Sequence, residues 1–511
     1  MSDPANRGHS TVDEITSVDP ATGEVVETVT TATTTEQVAV LAEAAAAAAA
    51  PFEELGRAFR ARLLRAVADE LEAHRAEIVA LGRRETALPE ARLNGELTRT
   101  CFQARLFADV IDDGGYLEAT IDHAGDTPMG PGPDLRRMLV PIGPVAVFGA
   151  SNFPLAFSAP GGDTVSALAA GCPVVIKAHS SHPALAQLTF RAMTTAAQRV
   201  GAPEGLLGIV FGTAAGAELI AHPAIKGVGF TGSAGGGAAL LDIINRRPEP
   251  IPFYGEMAGL NPIVVTEGAA KARGAAIAEG LVGSVLGSGG QLCTKPGLVF
   301  VPRGAAGDAL VAEAARLISA APAATLLNRR ISESYRETSA ALASRAEVIA
   351  EGAAPGAGFA VAPRLLEVDA AKLSADELDE CFGPAAVLAR YDAAELDTAI
   401  TALPASLTGA VHAEPDEVQR TAALSALLKE KSGRLLYNGF PTGVLVSWAQ
   451  HHGGPWPSTN TLHTSVGATA IRRWLRPVTW QDAPEAVLPA ELRERHASIP
   501  RRVDGRLVLP A

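Results

Sequence analysis

From Thr35 to about Asp113, apolar residues return at mostly three- and four-residue steps. Leu63, Leu64, Val67, Leu71 and Ile78 make one such series, and Leu93, Leu97, Cys101, Ala104 and Ala108 make another. Side chains three or four apart share one face of a helix, so this stretch predicts helices. The alanine run Ala44–Ala50 falls inside it, flanked by acidic residues. Alanine is the best helix former, so the run predicts a soluble helix and not a membrane span. Ahead of it, residues 1 to 14 read as a flexible tail that lacks the charged-then-apolar order of a signal peptide. Ser17–Thr28 carries turn chemistry in Asp-Pro and Thr-Gly followed by paired valines, which predicts a small strand or hairpin.

At Leu139 the period changes. Leu139–Ala150, LVPIGPVAVFGA, reads as a buried strand, and Cys172–Lys177, Leu207–Phe211 and Gly227–Phe230 read as three more. Helix-capable segments separate them, among them Pro183–Val200 and Ala215–His222. Strand and helix alternating at this rhythm predict a parallel sheet with crossover helices, a Rossmann-type dinucleotide-binding domain. Ligands in such folds bind beyond the carboxyl ends of the strands, here at Asn152, Lys177 and the loop beginning at Thr231. A second αβ series follows, with strands near Asn261–Val265, Gly297–Val301, Ala385–Ala389 and Gly433–Tyr437, and a loop at Gly352–Gly358.

The expected fold class is therefore α/β. Residues 15–115 and 141–251 are expected to form the dinucleotide-binding domain and 252–446 a second α/β domain, made the catalytic domain by the thiol loop and the resemblance given below. Residues 116–140 with 468–511 form a small oligomerisation arm built of short β-capable pieces, and 447–467 return to the cofactor domain.

Composition narrows the class further. The formal net charge of −13 argues against a nucleic-acid partner. The chain has four cysteines, Cys101, Cys172, Cys293 and Cys381, with neither a disulfide framework nor a metal knuckle in their spacing. A reducing, cytoplasmic setting suits them.

Cys293 stands out among the four. It lies in Gly289–Gly297, GGQLCTKPG, behind flexible glycines and ahead of a Pro-Gly turn. A thiol on such a loop can be reached by a substrate, although most isolated cysteines are small buried hydrophobes. Five other windows change the balance: Asn152-Phe153-Pro154, Cys172–Lys177, Gly229–Ser233 (GFTGS), Tyr254-Gly255-Glu256, and Glu380 followed by Phe382-Gly383-Pro384. With Gly290–Thr294 (GQLCT), and in this order and spacing, they resemble the aldehyde dehydrogenase superfamily over residues 15–480. SNFPLAF, PFYGEM, NGFPTGV and HGGPWPS resemble its 2,5-dioxovalerate (α-ketoglutarate semialdehyde) branch.

The resemblance implies a role for each residue, and each role has a chemical reason. Expelling hydride from an aldehyde needs a tetrahedral carbon. A thiolate makes one and afterwards leaves a hydrolysable thioester, which casts Cys293 as nucleophile. Asn152, beside the backbone N–H of Cys293, would donate to the oxyanion without titrating. Glu256 would be the general base for hydrolysis, with a pKa raised by apolar neighbours such as Phe253 and Met257. For the cofactor, Lys177 would meet the adenine ribose. Ser180 stands where NAD-preferring relatives often carry a carboxylate, which favours NADP and leaves NAD possible. Gly232 and Ser233 would cradle the pyrophosphate at a helix N-terminus, Glu380 would hold the nicotinamide ribose, and Phe382 would pack nearby.

The substrate pocket is expected to take Phe153 and Phe440 as lining. Arg105, on the face of Cys101, is a candidate for a substrate carboxylate, with a plain surface arginine as the open alternative and Lys295 as a second option. His451 and His452 have no third ligand at metal-binding spacing and read as ordinary polar residues, so no metal is expected. Cys101 and Cys172 read as structural, and Cys381 is given no role.

Taken together, the sequence predicts an NADP-preferring enzyme that oxidises a small-molecule semialdehyde, 2,5-dioxovalerate, to 2-oxoglutarate. It predicts a homo-oligomer, a dimer or tetramer, without membrane or nucleic acid. A broad-specificity or fatty-aldehyde dehydrogenase is the alternative on the same machinery, and a catalytically silent structural protein is the alternative outside it.

Overall fold

A computed structural model describes residues 13–257, 259–373, 380–441 and 443–510 of the chain. Residues 1–12 of the expected tail lie outside the described residues, and Glu14 already opens a strand. Glu14–Asp19 and Glu24–Thr31 pair antiparallel as the hairpin read from Ser17–Thr28.

Four helices follow: α1 (Thr35–Glu54), α2 (Gly56–Ala73), α3 (Arg75–Thr86) and α4 (Glu90–Asp113). Thr34 starts α1 with a capping box, its hydroxyl accepting from the N–H of Gln37 while the Gln37 side chain returns to the Thr34 N–H. The alanine run is part of α1, which buries Ala42, Ala45 and Ala48 on one face. Among the described residues no helix is long and apolar enough to cross a membrane.

The first sheet has five parallel strands in the order Phe253–Glu256, Gly227–Thr231, Val145–Phe148, Val174–Lys177, Leu207–Val210. Its strands are apolar on both faces, as a sheet covered by helices on both sides requires. Val145 and Val147 enter the core formed with α2 and α4, whereas Ala146 and Phe148 enter the one formed with α1. The sheet takes in Phe253–Glu256, one strand beyond residue 251, where the sequence reading ended that unit.

The second sheet has seven strands in the order Glu347–Glu351, Arg364–Asp369, Ala385–Tyr391, Leu298–Pro302, Ile263–Val265, Ser406–His412, Ser432–Tyr437. All neighbours are parallel except the antiparallel edge Glu347–Glu351. Four of these strands match the sequence reading. Arg364–Asp369, Ser406–His412 and Glu347–Glu351 add three that it did not contain. A third, mostly antiparallel sheet joins Leu475–Gln481, Leu135–Pro141, Thr120–Asp122, Arg501–Val503 and Arg506–Val508.

One expected strand is in fact two. LVPIGPVAVFGA splits into Leu135–Pro141 of the third sheet and Val145–Phe148 of the first. The break falls at Ile142-Gly143-Pro144, where Gly143 has φ 110° and Pro144 has no N–H to give a ladder.

Candidate active site

Cys293 reaches its place through a loop shaped by backbone. The helix Glu267–Leu286 ends, and Ser288, Gly289 and Gly290 then take positive φ in succession. Gly290 must be glycine, because a Cβ there would sit 2.2 Å from the carbonyl of Gly383. The loop is therefore pressed against the Phe382–Pro384 turn. Asn261 fixes its far side. The Asn261 Nδ2 donates to the carbonyls of Cys293 (2.8 Å) and Lys295 (3.1 Å), and its Oδ1 accepts from the N–H and hydroxyl of Thr408, each at 3.1 Å.

Of the four cysteines, Cys293 alone is not fully buried. Burial pushes the thiols of Cys101 and Cys172 up to about 12 and that of Cys381 up to about 11, which agrees with their inert reading.

Beside the sulfur stands a cluster that sequence spacing hid. His452 Nε2 lies 3.6 Å from Cys293 Sγ and 2.8 Å from Glu256 Oε1, and Ser465 Oγ donates to Glu256 Oε2 at 2.7 Å. Glu256 ends an inner-face edge strand of the first sheet, and His452 is held in the returning segment, its N–H donating to Thr464 Oγ1. The reading of His452 as an ordinary polar residue is thus corrected. It has 1% exposure, and its donor atom falls within 4.8 Å of those of both Cys293 and Glu256. Three potential ligands do converge in space, although no regular spacing along the chain announces them.

The charges of this cluster follow from its contacts. Burial would push the Glu256 carboxyl up, but His452 and the hydrogen bonds from His452, Ser465 and Cys293 bring it below the usual range. The expected raised pKa is corrected: Glu256 is a carboxylate at neutral pH. An ionised carboxylate only accepts, so His452 carries its proton on Nε2, and its buried Nδ1 has no partner among the described residues. Cys293 moves the other way. Burial and the adjacent Glu256 charge hold its thiol well above the ordinary value.

Asn152 is buried on the turn after Val145–Phe148. Its Nδ2 donates to the carbonyl of Gln291 at 2.9 Å, two residues from the thiol, which leaves one amide hydrogen uncommitted.

A groove of about 660 Å³ opens beside these residues. Asn152, Ser180, Gly232, Ser233, Glu256, Cys293, Glu380 and Phe382 all line it, together with Val18 and Val25 of the hairpin and Arg329 and Arg330. Six of the expected cofactor and catalytic residues thus share one cavity with the thiol and its neighbouring carboxylate. Its dimensions and chemistry fit a nicotinamide dinucleotide. Ser233 caps the helix Ala234–Asn245, its Oγ accepting from the N–H of Gly236 in a glycine-rich first turn. Lys177 ends its strand packed under Gly216, and burial lowers its pKa. Burial also pushes Glu380 up to about 7, opposed by the charge of Lys295.

Three expectations for the substrate pocket are corrected. Arg105 is paired with Asp69 at 2.8 Å on the surface between α2 and α4. Lys295 is 2% exposed and donates to the carbonyls of Cys381 (3.0 Å) and Ala385 (2.6 Å), so it clips a turn and faces no substrate. Phe440 packs on Gly280 and, at 4.6 Å, on the His412 ring within the second sheet's core. Phe153 keeps a place near the site. Its ring is 5.3 Å from that of Phe157, which in turn meets His452 edge-on at 6.2 Å.

A covered dinucleotide-type groove with a loop thiol, a carboxylate and a side-chain amide at its floor defines an oxidoreductase of aldehydes. The chain belongs to the aldehyde dehydrogenase family, whose members use NAD(P), and the family model matches residues 7–474. It is 45% identical over 460 residues to alpha-ketoglutaric semialdehyde dehydrogenase 2 of Azospirillum brasilense, covering 88% of this chain and 87% of the relative. It is 41% identical over 458 residues to alpha-ketoglutaric semialdehyde dehydrogenase of Acinetobacter baylyi, with 88% and 87% covered. Among solved structures, a variant of proline utilization A from Bradyrhizobium japonicum superposes with a TM-score of 0.76 at 25% identity. That match covers 88% of this chain and 45% of the other, so the chain spans less than half of that longer protein.

Proposed function

We propose that the protein oxidises 2,5-dioxovalerate to 2-oxoglutarate with NADP as preferred acceptor, using Cys293 as nucleophile. The observation that carries the chemistry is the contact set Cys293–His452–Glu256, of which Cys293 and Glu256 line the groove. The substrate follows from the names of the two relatives.

The residues divide the work as follows. Glu256 takes the thiol proton, and the Nε2–H of His452, lying between carboxylate and sulfur, then faces the thiolate and holds its charge. The sulfur adds to the aldehyde carbon, and the carbonyl oxygen becomes an oxyanion that receives the free amide hydrogen of Asn152 and the backbone N–H of Cys293. NADP⁺, when bound, supplies the hydride acceptor. Glu256 passes the thiol proton on to solvent, and the thioester that remains on Cys293 is then cleaved by water, which gives a proton to the freed Glu256 carboxylate while the Cys293 thiolate leaves. Gly232, Ser233, Lys177, Glu380 and Phe382 would hold the dinucleotide.

The preference for NADP is supported by the cations around Ser180. Lys177 and Arg330 both act on the half-buried His179 next to it, and no carboxylate stands at Ser180 to repel a 2′-phosphate. Arg330 lines the same groove and would supply a guanidinium to a 2′-phosphate.

We also read residues 15–115 with 141–251 as the cofactor unit, 252–446 as the catalytic unit, and 116–140 with 468–511, which supply most of the third sheet, as the assembly unit of a homo-oligomer. The exposed apolar side chains Leu507 and Val508 on an edge strand support the last. Four free thiols fit a reducing, cytoplasmic compartment.

A panel of aldehydes assayed with each cofactor tests the reading. The highest kcat/KM is expected for 2,5-dioxovalerate with NADP. Equal or better turnover of hexanal would favour the broad-specificity alternative. Asn152→Ala should lower kcat by about 100-fold or more, the usual cost of one oxyanion donor. An unchanged rate would remove it from that role.

A further inference from the structure

The groove beside Cys293 accounts for the cofactor but not for a substrate's far end. With Arg105 and Lys295 committed elsewhere, the cations near the sulfur can be taken in turn. Arg92, Glu96 and Arg99 follow one another along one stripe of α4, at steps of four and three residues. Arg92 is satisfied. Its Nη1 donates to Glu96 Oε2 at 2.5 Å, its Nη2 to the carbonyl of Asn152 at 3.3 Å, and its guanidinium lies 4.4 Å from the centre of the Phe153 ring. Glu96 is also used up, because its Oε1 accepts from the N–H groups of Leu155 (2.9 Å) and Ala156 (2.8 Å).

Arg99, one turn further on, has no such partner. Its Nε donates to the carbonyl of Val444 at 3.1 Å, which fixes the plane of the guanidinium. Its Nη1 and Nη2 are both buried without any hydrogen-bond partner among the described residues. Leaving two donors of a charged group out of water and unpaired is costly, so such a group marks a place where an anion is received. Its position agrees. The guanidinium lies 5.2 Å from the centre of the Phe157 ring, Phe157 meets His452, and His452 touches the sulfur of Cys293. Arg99 is within electrostatic reach of both Cys293 and Glu256, and Arg434, a second guanidinium with unpartnered Nε and Nη2, is within reach of Cys293.

We propose that Arg99 receives the distal carboxylate of the aldehyde, its two Nη groups donating to the two carboxylate oxygens while the aldehyde carbon meets Cys293. The fork geometry of a guanidinium matches a carboxylate in this way, and a lysine could not reproduce it. The site would thus select an aldehyde that ends in a carboxylate a few carbons from the reacting carbon. This rests on the reading of the groove as the site of semialdehyde oxidation.

The test is kcat/KM for 2,5-dioxovalerate and for hexanal, at saturating NADP, in the full-length protein and in Arg99→Gln and Arg99→Lys. For Arg99→Gln the charged aldehyde should lose on the order of 100-fold or more, carried mainly by KM, with hexanal within about threefold. Arg99→Lys should recover part of the loss by keeping the charge. Competition in the unmodified enzyme gives a readout that depends on no variant folding: 2-oxoglutarate should compete with hexanal far better than hexanoate does. Equal losses for both aldehydes, no loss for either, or equal competition by the two acids would overturn the proposal and leave Arg99 as a cation packed on Phe157. If the unmodified enzyme itself shows no preference for 2,5-dioxovalerate, the substrate reading fails first. If it does and Arg99→Gln keeps that preference, only the assignment of Arg99 fails.

Discussion

Cys293→Ala is expected to abolish aldehyde oxidation while cofactor binding, followed by quenching of protein fluorescence or by calorimetry, stays as it was. The loss should be essentially complete. Without the sulfur, only water can add to the carbonyl, and no thioester forms. Removing a nucleophile from comparable covalent machinery costs about 10⁶-fold in kcat. Gly232, Ser233 and Lys177, the residues proposed to hold the cofactor, hang on the first sheet, whereas Cys293 belongs to a loop of the second sheet's unit, so the binding side has no reason to suffer. Substantial turnover in the alanine variant would mean that another group carries the chemistry. Cys381, Cys172 and Cys101 are poor substitutes, being buried with thiols held up near 11 or 12.

The second large effect is expected from Glu256→Gln. The amide keeps the shape and can still meet His452 and Ser465, but it cannot take a proton. Thioester hydrolysis should slow by about 10²- to 10⁴-fold, the usual range for a lost general base. Assayed at alkaline pH, where solvent deprotonates Cys293 in place of Glu256, the variant should show a burst of NADPH equal to the enzyme concentration followed by a slow steady state. Glu256→Gln should also shift the sulfur itself. The carboxylate charge is one of the causes that hold the Cys293 thiol high, so its removal should move the pH profile of alkylation by iodoacetamide to lower pH. A profile that stays in place, or moves upward, would separate Glu256 from Cys293 electrostatically and contradict the cluster described here.

How much of this was legible in the sequence depends on the range of the contact. The glycine-framed thiol, the strand ends at Asn152 and Lys177 and the caps of the helices are local patterns, and local chemistry dictates them. The interrupted strand at Gly143-Pro144 was readable in principle, since both residues break a ladder, but the unbroken apolar run concealed it. His452 was not readable. It sits 159 residues from Cys293 and 196 from Glu256, and only the return of the chain to the first sheet brings it there.

The arginines make the same point on one helix. Periodicity correctly places Arg105 on the face of Leu97 and Cys101, but that face packs on α2, where Asp69 was waiting. The stripe of Arg92, Glu96 and Arg99 turns toward Cys293 instead, and nothing in a single helix's pattern tells which of its faces meets a site. Phe440 failed for a similar reason. A large apolar side chain near the motifs fills a core as readily as it lines a tunnel, and Gly280 left room for it there.

The ammonium of Lys295 has a last consequence. Two residues from the sulfur, it grips the carbonyls on either side of the turn that begins beside Glu380, while Gly290 rests on that turn from the other direction. The loop of the proposed nucleophile and the turn behind the proposed ribose-binding carboxylate are therefore tied to each other from two sides. A substitution that loosens either tie is expected to disturb thiol reactivity and dinucleotide affinity together.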